Sequence, residues 1–441
     1  RIVAEEASAP GTTLVICNDP WMFRHLTTID GIKGGSQPRM GPAALGLLMR
    51  GYAARMKCAV TLYFRAMALG QQKKNASHGG ATLLVYGHPT STADGIDGYF
   101  GDLLKTLPDL TRVLHVDCNA ERAHTLAKDG RTISLHAWGR VTDTVPLIFA
   151  RWRPSPQHGK GAYGWLVRRS AALEGGTAQG AMIAWQKICQ RRWLAETRPR
   201  VVAWPWENHS WERDFVRAAH ALGVHTVGYQ HSVVGPQMLN YSPASNPDSE
   251  ASLPESILCT GPGTRQQLLD WGVTAERLQI GGALRFSDPP QLRFDAEGPV
   301  FIALPFDGET AGQMVAAARN LTDKGFRFLV KDHPMTPFNF PSSNGLARTN
   351  KPLMEHTGLR AVIYAATTVG LEAALAGLPT LRFRPDGRLS LNILPKGVDL
   401  PVADAEGLED ALNALTAPNL SRDQIFSPVS HALWQRTLAH D

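Results

Sequence analysis

Two apolar runs in this chain end abruptly in side chains that can move protons. V-V-A-W-P-W gives way to Glu207, Asn208 and His209, and H-T-V-G-Y to Gln230, His231 and Ser232. A carboxylate or imidazole beside a hydroxyl works as a general base when its pKa lies near the working pH. Burial brings Glu towards that range, and His is already close. The plainer roles for Glu207 and His231 are a cap, an ion pair or a structural hydrogen bond. A third acidic set, Asp94, Asp97 and Asp102, lies in T-S-T-A-D-G-I-D-G-Y-F-G-D-L, where turn and helix-cap duties compete with acid–base work.

Three further clusters lie in the second half. Gly281 and Gly282, in G-G-A-L-R-F, would let backbone come close to a ligand, or simply make a turn. K-D-H-P places Lys331 and His333 at the end of a strand, where they could meet a phosphate, with Pro334 stiffening the exit. In A-A-T-T-V-G-L-E, Thr367 and Thr368 sit where a strand hands over to a helix. Free N–H groups and hydroxyls there suit an anion, and Glu372 lies one turn in, within reach of a nucleoside hydroxyl. Simple N-capping by threonine is the competing role. No D-x-D, Walker or G-x-G-x-x-G pattern occurs, so neither a metal-bound diphosphate site nor a dinucleotide site is indicated.

The elements that must carry these residues alternate. Strands are expected at 12–19, 82–89, 112–118 and 131–138, then at 201–206 and 225–229 around a helix closed by Gly223. S-I-L-C-T-G (256–261) starts the second half, and later strands are expected at 277–282, 299–307, 327–334, 360–367 and 380–385, with helices at 309–325 and 369–377. That rhythm predicts α/β architecture with parallel sheets, in which ligands gather beyond the carboxyl ends of the strands. The Pro-, Ser- and Asn-rich stretch 234–254 reads as a linker or mobile loop. It divides the chain into domains at 1–250 and 251–425, with a C-terminal helical segment, 426–441, packing back on the first. The Ala-, Leu- and Met-rich stretch 42–69 is broken by Arg50, Arg55, Lys57 and Arg65, which predicts buried or amphipathic helices, not a membrane span.

A chain of 441 residues with 43% hydrophobic and 19% charged residues is globular and long enough for two cores. A formal charge of +6 is too mild to indicate nucleic acid as a partner. Five scattered cysteines without a C-x-x-C pair indicate neither a disulfide framework nor a zinc site, and fit a reducing cytoplasm. Between 151 and 197, Arg151, Arg153, Lys160, Arg168, Arg169, Arg191 and Arg192 interleave with Trp152, Tyr163, Trp165, Trp185 and Trp193. Basic groups beside aromatics suit a peripheral contact with the inner membrane or an acidic acceptor. The plainer reading is a solvated helix face whose tryptophans turn inward.

Y-F-G-D-L (99–103), W-E-N-H-S-W-E-R (206–213), G-Y-Q-H-S (228–232) and T-V-G-L-E-A-A-L-A-G-L-P (368–379) resemble bacterial surface-carbohydrate biosynthesis proteins. These are similar to capsule and lipopolysaccharide Kdo transferases and to bacterial sialyltransferases. The resemblance implies a GT-B fold, two Rossmann-like domains facing across a cleft. It also implies a CMP-activated sugar acid as donor, a glycan or lipid-linked glycan as acceptor, and no separate cofactor or metal. The His-Pro and Ser/Thr pairs that hold CMP in that group would here be His333-Pro334 and Thr367-Thr368. An acidic Asp-Gly motif would be Asp94-Gly95 or Asp97-Gly98, though its surroundings differ, so the catalytic group stays open among Asp94, Asp97, Glu207 and His231. A UDP-sugar 2-epimerase and a non-catalytic glycan-binding protein are the alternatives.

Overall fold

The computed structural model describes residues 3, 11–285, 291–334 and 336–439; Phe286 of the G-G-A-L-R-F stretch and the last two residues of the C-terminal segment lie outside them. The strands, in chain order, are β1 (Ala81–Val85), β2 (Thr111–Leu114), β3 (Thr132–Ser134), β4 (Val201–Pro205), β5 (His225–Gln230), β6 (Ser256–Cys259) and β7 (Leu278–Ile280). They continue with β8 (Val300–Ala303), β9 (Phe328–Lys331), β10 (Leu346–Arg348), β11 (Ala361–Tyr364), β12 (Thr380–Phe383) and β13 (Val402–Ala403). β4, β8 and β11 are buried along their whole length, as parallel strands covered on both faces must be.

The chain divides into two compact units: residues 1–79, 85–87 and 111–198 form the first, and 80–84, 88–110 and 199–441 the second. In the first, β2 and β3 pair in parallel. Its helices include α1 (Pro20–Leu26), the 30-residue α2 (Met40–Leu69), α3 (Gly164–Gly175) and α4 (Gln179–Thr197). Helix α2 buries Gly51, Arg55, Ala59, Leu62, Ala66 and Leu69 on one face. The buried Arg55 guanidinium donates from Nε to the Ile148 carbonyl and from Nη1 to the Gly175 carbonyl, at 2.9 and 2.7 Å. Trp185 and Trp193 of α4 are buried, and the Trp185 indole donates to His136 Nδ1 at 3.0 Å, whereas Trp152 and Tyr163 are exposed. The tryptophans of 151–197 thus split between inward and outward roles. The strand expected at 12–19 is absent: Leu14 and Ile16 are 84% and 89% exposed, and the stretch is irregular.

The second unit holds both large parallel arrays. In one, β1, β4, β5, β6 and β7 lie side by side; in the other the order is β10-β9-β8-β11-β12-β13. Because β6 and β7 extend the sheet of β5, residue 250 is not a domain boundary, and the second sheet begins only at Val300. Nor is 234–254 a mobile linker. Tyr241, Ser242, Asn246, Ser252 and Leu253 are buried, and the segment packs as short 3-10 turns. Its polar composition reflects internal hydrogen bonding, such as Asn246 Nδ2 to the Ser249 carbonyl at 3.0 Å. Strands β10 and β13 and the helix Leu408–Ala414 go beyond the sequence expectation. Helix α5 (Ser210–His220) joins β4 to β5, α6 (Gly308–Thr322) joins β8 to β9, and α7 (Val369–Leu375) joins β11 to β12.

The C-terminal helix α8 (His431–Ala439) inserts Trp434, fully buried, edge-on against Phe100 and Tyr229, with ring centroids 5.7 and 5.2 Å away. Its indole donates to the Gly281 carbonyl at 3.0 Å. Trp434→Ala should cost about 3–5 kcal/mol of stability, the range for truncating a large buried aromatic. Urea unfolding measures it, and a loss well under 1 kcal/mol would show that α8 is not part of the packed unit.

Candidate functional site

The loop after β4 is held by one buried carboxylate. Glu212, in the first turn of α5, reaches back with Oε1 and Oε2 to the N–H groups of Glu207, Asn208 and His209, at 3.2–3.3 Å. It also accepts from the Trp204 indole at 3.0 Å. Burial pushes this carboxyl up to about 7, against the pull of the Trp204 indole, the His209 charge and the backbone N–H groups. Asn208 takes a left-handed conformation, φ 56°, and its buried amide donates to the Asn240 carbonyl and to Asn246 Oδ1. Asn240 Nδ2 in turn donates to the Glu207 carbonyl at 2.7 Å. Glu212 therefore performs the capping that the sequence left open for Glu207, and the Glu207 side chain is released for other contacts.

Those contacts are two histidines. Glu207 Oε2 lies 2.8 Å from His209 Nε2, and Oε1 lies 3.7 Å from Nε2 of His231, which follows the neighbouring strand β5. Burial pushes the Glu207 carboxyl upward, but the His209 hydrogen bond and the fields of His231, His209 and Arg285 outweigh it, so it is held below the ordinary range. The same hydrogen bond raises His209. His231 is buried and burial lowers it to about 4; its Nδ1 has no hydrogen-bond partner. At neutral pH the pair thus consists of an ionised carboxylate and an uncharged imidazole, and both can accept a proton.

Tyr99 stands edge-on to His231 and to His88, with centroids 4.9 and 5.3 Å away, and the Arg285 guanidinium lies over its ring at 5.6 Å. Arg285 is positioned through its loop. The Tyr229 hydroxyl donates to the Gly282 carbonyl at 3.1 Å and accepts from Leu284 N–H at 2.9 Å, and Ala283 N–H bonds to the Ser427 carbonyl. The Arg285 field acts on Glu207, at the edge of the first sheet, and also on Glu372, in α7 against the second sheet.

On the second sheet, Ala366 takes a left-handed φ of 48° just before Thr367 and Thr368, a strained turn at the end of β11. Thr368 Oγ1 donates to Glu372 Oε1 at 3.4 Å, and Val369 N–H donates to Thr367 Oγ1 at 3.5 Å. Burial raises the Glu372 carboxyl, opposed by Arg285 and Thr368. His333, half-buried and lowered by that burial, packs edge-on to Phe306 and contacts Thr336 Oγ1 at 3.4 Å, while Pro334 is exposed. Lys331 Nζ donates to the Asn350 carbonyl at 2.5 Å. Only β8 stands between β9 and β11, so the His333 and Thr367–Thr368 loops leave the same sheet edge about 10 Å apart, two strand spacings.

Two sequence expectations are corrected. At Gly281 and Gly282 the space that a side chain would take is filled by the chain itself. A Cβ on Gly281 would meet the Trp434 indole at 3.2 Å, and one on Gly282, whose φ is +87°, would meet the Pro428 carbonyl oxygen at 2.2 Å. The chain's own C-terminal segment fills that space. Asp97 is buried and organises its own loop, accepting from the N–H groups of Tyr99 and Phe100 and from the Ser91 hydroxyl. Its contribution is to place Tyr99. Asp94 is exposed on the turn before it. Sequence reasoning missed Arg285, Tyr99 and Glu212. The spacing His209…Glu212, a reciprocal cap at the start of a helix, is the signal that could have found the last.

Among the described residues no group of three or more His, Cys, Asp or Glu is arranged to hold a metal ion. A separate cavity of about 650 Å³, in the first unit, is lined by Trp21, Arg24, His25, Met40, Trp165 and Arg168, and shares no residue with the strand-end cluster.

No protein-family model and no curated protein matches this chain. Solved structures of similar shape include the UDP-N-acetylglucosamine 2-epimerase from Rickettsia bellii, 11% identical over 82% of this chain and 95% of that one, TM-score 0.45. The glycotransferase of kitacinnamycin is 12% identical with the same coverage, TM-score 0.43. The lipopolysaccharide outer core galactosyltransferase WaaB, in its apo form, is 11% identical over 81% and 94%, TM-score 0.36. All are distant likenesses, and the reading below rests on this chain's own residues.

Two measurements check the geometry. Glu212→Ala strands the indole and backbone N–H groups that it serves and should cost about 2–3 kcal/mol; an unchanged unfolding midpoint would contradict its organising role. His231 is held neutral well below the pKa of an unfolded histidine, so the unfolded chain binds the extra proton between pH 6.5 and about 4. Its stabilising contribution is complete above that window and is lost on acidification through it, by about 3 kcal/mol at 1.36 kcal/mol per pKa unit. Over that window His231→Phe should therefore lose less stability on acidification than the parent protein, as followed by chemical unfolding at each pH.

Proposed function

We propose that this protein is a glycosyltransferase of surface-glycan assembly that moves a sugar acid, of the Kdo or nonulosonic acid class, from a CMP-activated donor to a glycan acceptor. The observation that carries the reading is Arg285, whose guanidinium lies at 5.6 Å over the Tyr99 ring, which packs against His231, and whose charge favours the ionised form of both Glu207 and Glu372. In the GT-B plan suggested by the sequence resemblance, one sheet grips the nucleotide and the other activates the acceptor. In this reading Arg285 meets both the leaving phosphate and the incoming hydroxyl.

In this scheme Thr367, Thr368 and His333 hold the CMP portion and Glu372 accepts from a ribose hydroxyl. Arg285 supplies positive charge to the departing phosphate oxygen, in the manner of electrostatic transition-state stabilisation. The acceptor oxygen forms a bond to the anomeric carbon as the bond from that carbon to the phosphate oxygen breaks. The hydroxyl proton passes to His231 or to Glu207, which the structure holds 3.7 Å apart. A carboxylate near an oxocarbenium-like centre also stabilises the charge that develops there.

Millimolar CMP should raise the melting temperature, and Arg285→Ala and Thr368→Val should each weaken that effect. His231→Ala and Glu207→Gln should keep the CMP effect while lowering turnover by about 10²–10⁴ where the base is removed. The rate should fall on the acid side only well below pH 6.5, because burial lowers His231 to about 4 and Glu207 is held below the ordinary carboxylate range. A shift with UDP but none with CMP would overturn the donor assignment. Consumption of UDP-N-acetylglucosamine without an acceptor, read by NMR, would replace the transferase by an epimerase.

A further inference from the structure

The bulk charge of +6 conceals an uneven division. The residues of the first unit comprise 24 Lys and Arg against 10 Asp and Glu, a net +14, whereas those of the second comprise 21 against 29, a net −8. The first unit also exposes an apolar surface. Opposite its buried face, α2 presents Met49, Met56, Val60, Phe64 and Met67, each more than half exposed. At 100° per residue these five fall within about 80° of one another, a stripe about 27 Å long. Phe149, 64% exposed, adjoins it through an edge contact with Tyr52, and the exposed Arg151, Trp152 and Arg153 follow directly.

We propose that this face of the first unit docks on an anionic lipid bilayer, with the α2 stripe, Phe149 and Trp152 entering the interface and Arg151 and Arg153 pairing with lipid phosphates. An apolar helix stripe beside basic and aromatic groups is the pattern of an interfacial element, and a negatively charged bilayer is the partner that complements both features. The charge argues against the other occupants. A second copy would set two +14 units face to face, and nucleic acid would leave a Met, Val and Phe stripe in contact with a polar backbone. The contact is peripheral: no described helix is long and apolar enough to cross a membrane. The inference stands apart from the donor reading, since none of these residues belongs to the strand-end cluster.

Vesicle co-sedimentation of the full chain tests it without any activity readout. Binding to vesicles containing phosphatidylglycerol is expected, with little binding to phosphatidylcholine alone. The exposed-site variant Met56→Glu/Val60→Glu/Phe64→Glu should lose about tenfold or more in affinity. Arg151→Glu/Arg153→Glu should lose several-fold and show a weaker salt dependence between about 0.1 and 0.5 M. Circular dichroism and the thermal unfolding midpoint report whether each variant is folded. No binding to anionic vesicles would overturn the proposal. So would binding that the glutamate substitutions leave intact, which is simple charge adsorption. A dimer in sedimentation equilibrium that the same substitutions dissociate would assign the stripe to self-association, and tighter binding of a single-stranded oligonucleotide would assign the charge to nucleic acid.

Discussion

The candidate site depends on a carboxylate that takes no part in the proposed chemistry. Glu212 is buried, and it gathers the N–H groups of three successive residues at the point where β4 ends. Backbone polar groups at a buried strand end must find partners or incur a large desolvation cost. By meeting that need from the first turn of α5, Glu212 allows Asn208 to adopt its left-handed conformation and turns the Glu207 side chain towards His209 and His231. The Glu207 side chain is left to meet the two histidines because Glu212 behind it takes the backbone N–H groups.

A second constraint works from the other end of the chain. Trp434 and the segment before it fill the space over Gly281 and Gly282, and Tyr229 bonds to both sides of the following loop. The last helix thereby sets the position of Arg285, some 150 residues earlier in sequence. Tyr229 links the two constraints, since it lies in β5 just before His231 and its ring packs against Trp434. His231 and the Arg285 guanidinium are therefore held by one packed aromatic group, and a change in either support would be felt at both.

Much of this could be read from the residues. The βα rhythm is legible because parallel strands buried on both faces appear as short apolar runs. The pairing of Glu207 with His231 follows from two such runs joined by one helix. What could not be read depends on distant contacts. Arg285 is a lone arginine in an irregular loop, and nothing local distinguishes it. The paired glycines look like a ligand turn until the C-terminal segment is seen to occupy the space. The 12–19 stretch has the composition of a strand, but strand formation needs a partner edge. The polar composition of 234–254 resembles a linker because the hydrogen bonds that bury it are internal. Only the bulk total hides the charge division: residues 1–79 and 111–198 lie wholly in the first unit and 199–441 wholly in the second, so a count along the chain separates the basic part from the acidic one.

The central claim is that the cluster around Arg285 receives the nucleotide. A crystal structure of the full chain soaked with CMP tests it most directly. The account predicts the phosphate within hydrogen-bonding reach of Arg285 and of Thr367 or Thr368, the ribose beside Glu372, and open space between the phosphate and His231. CMP bound elsewhere, for example in the Trp21 and Trp165 cavity of the first unit, with the Arg285 region unchanged, would contradict it.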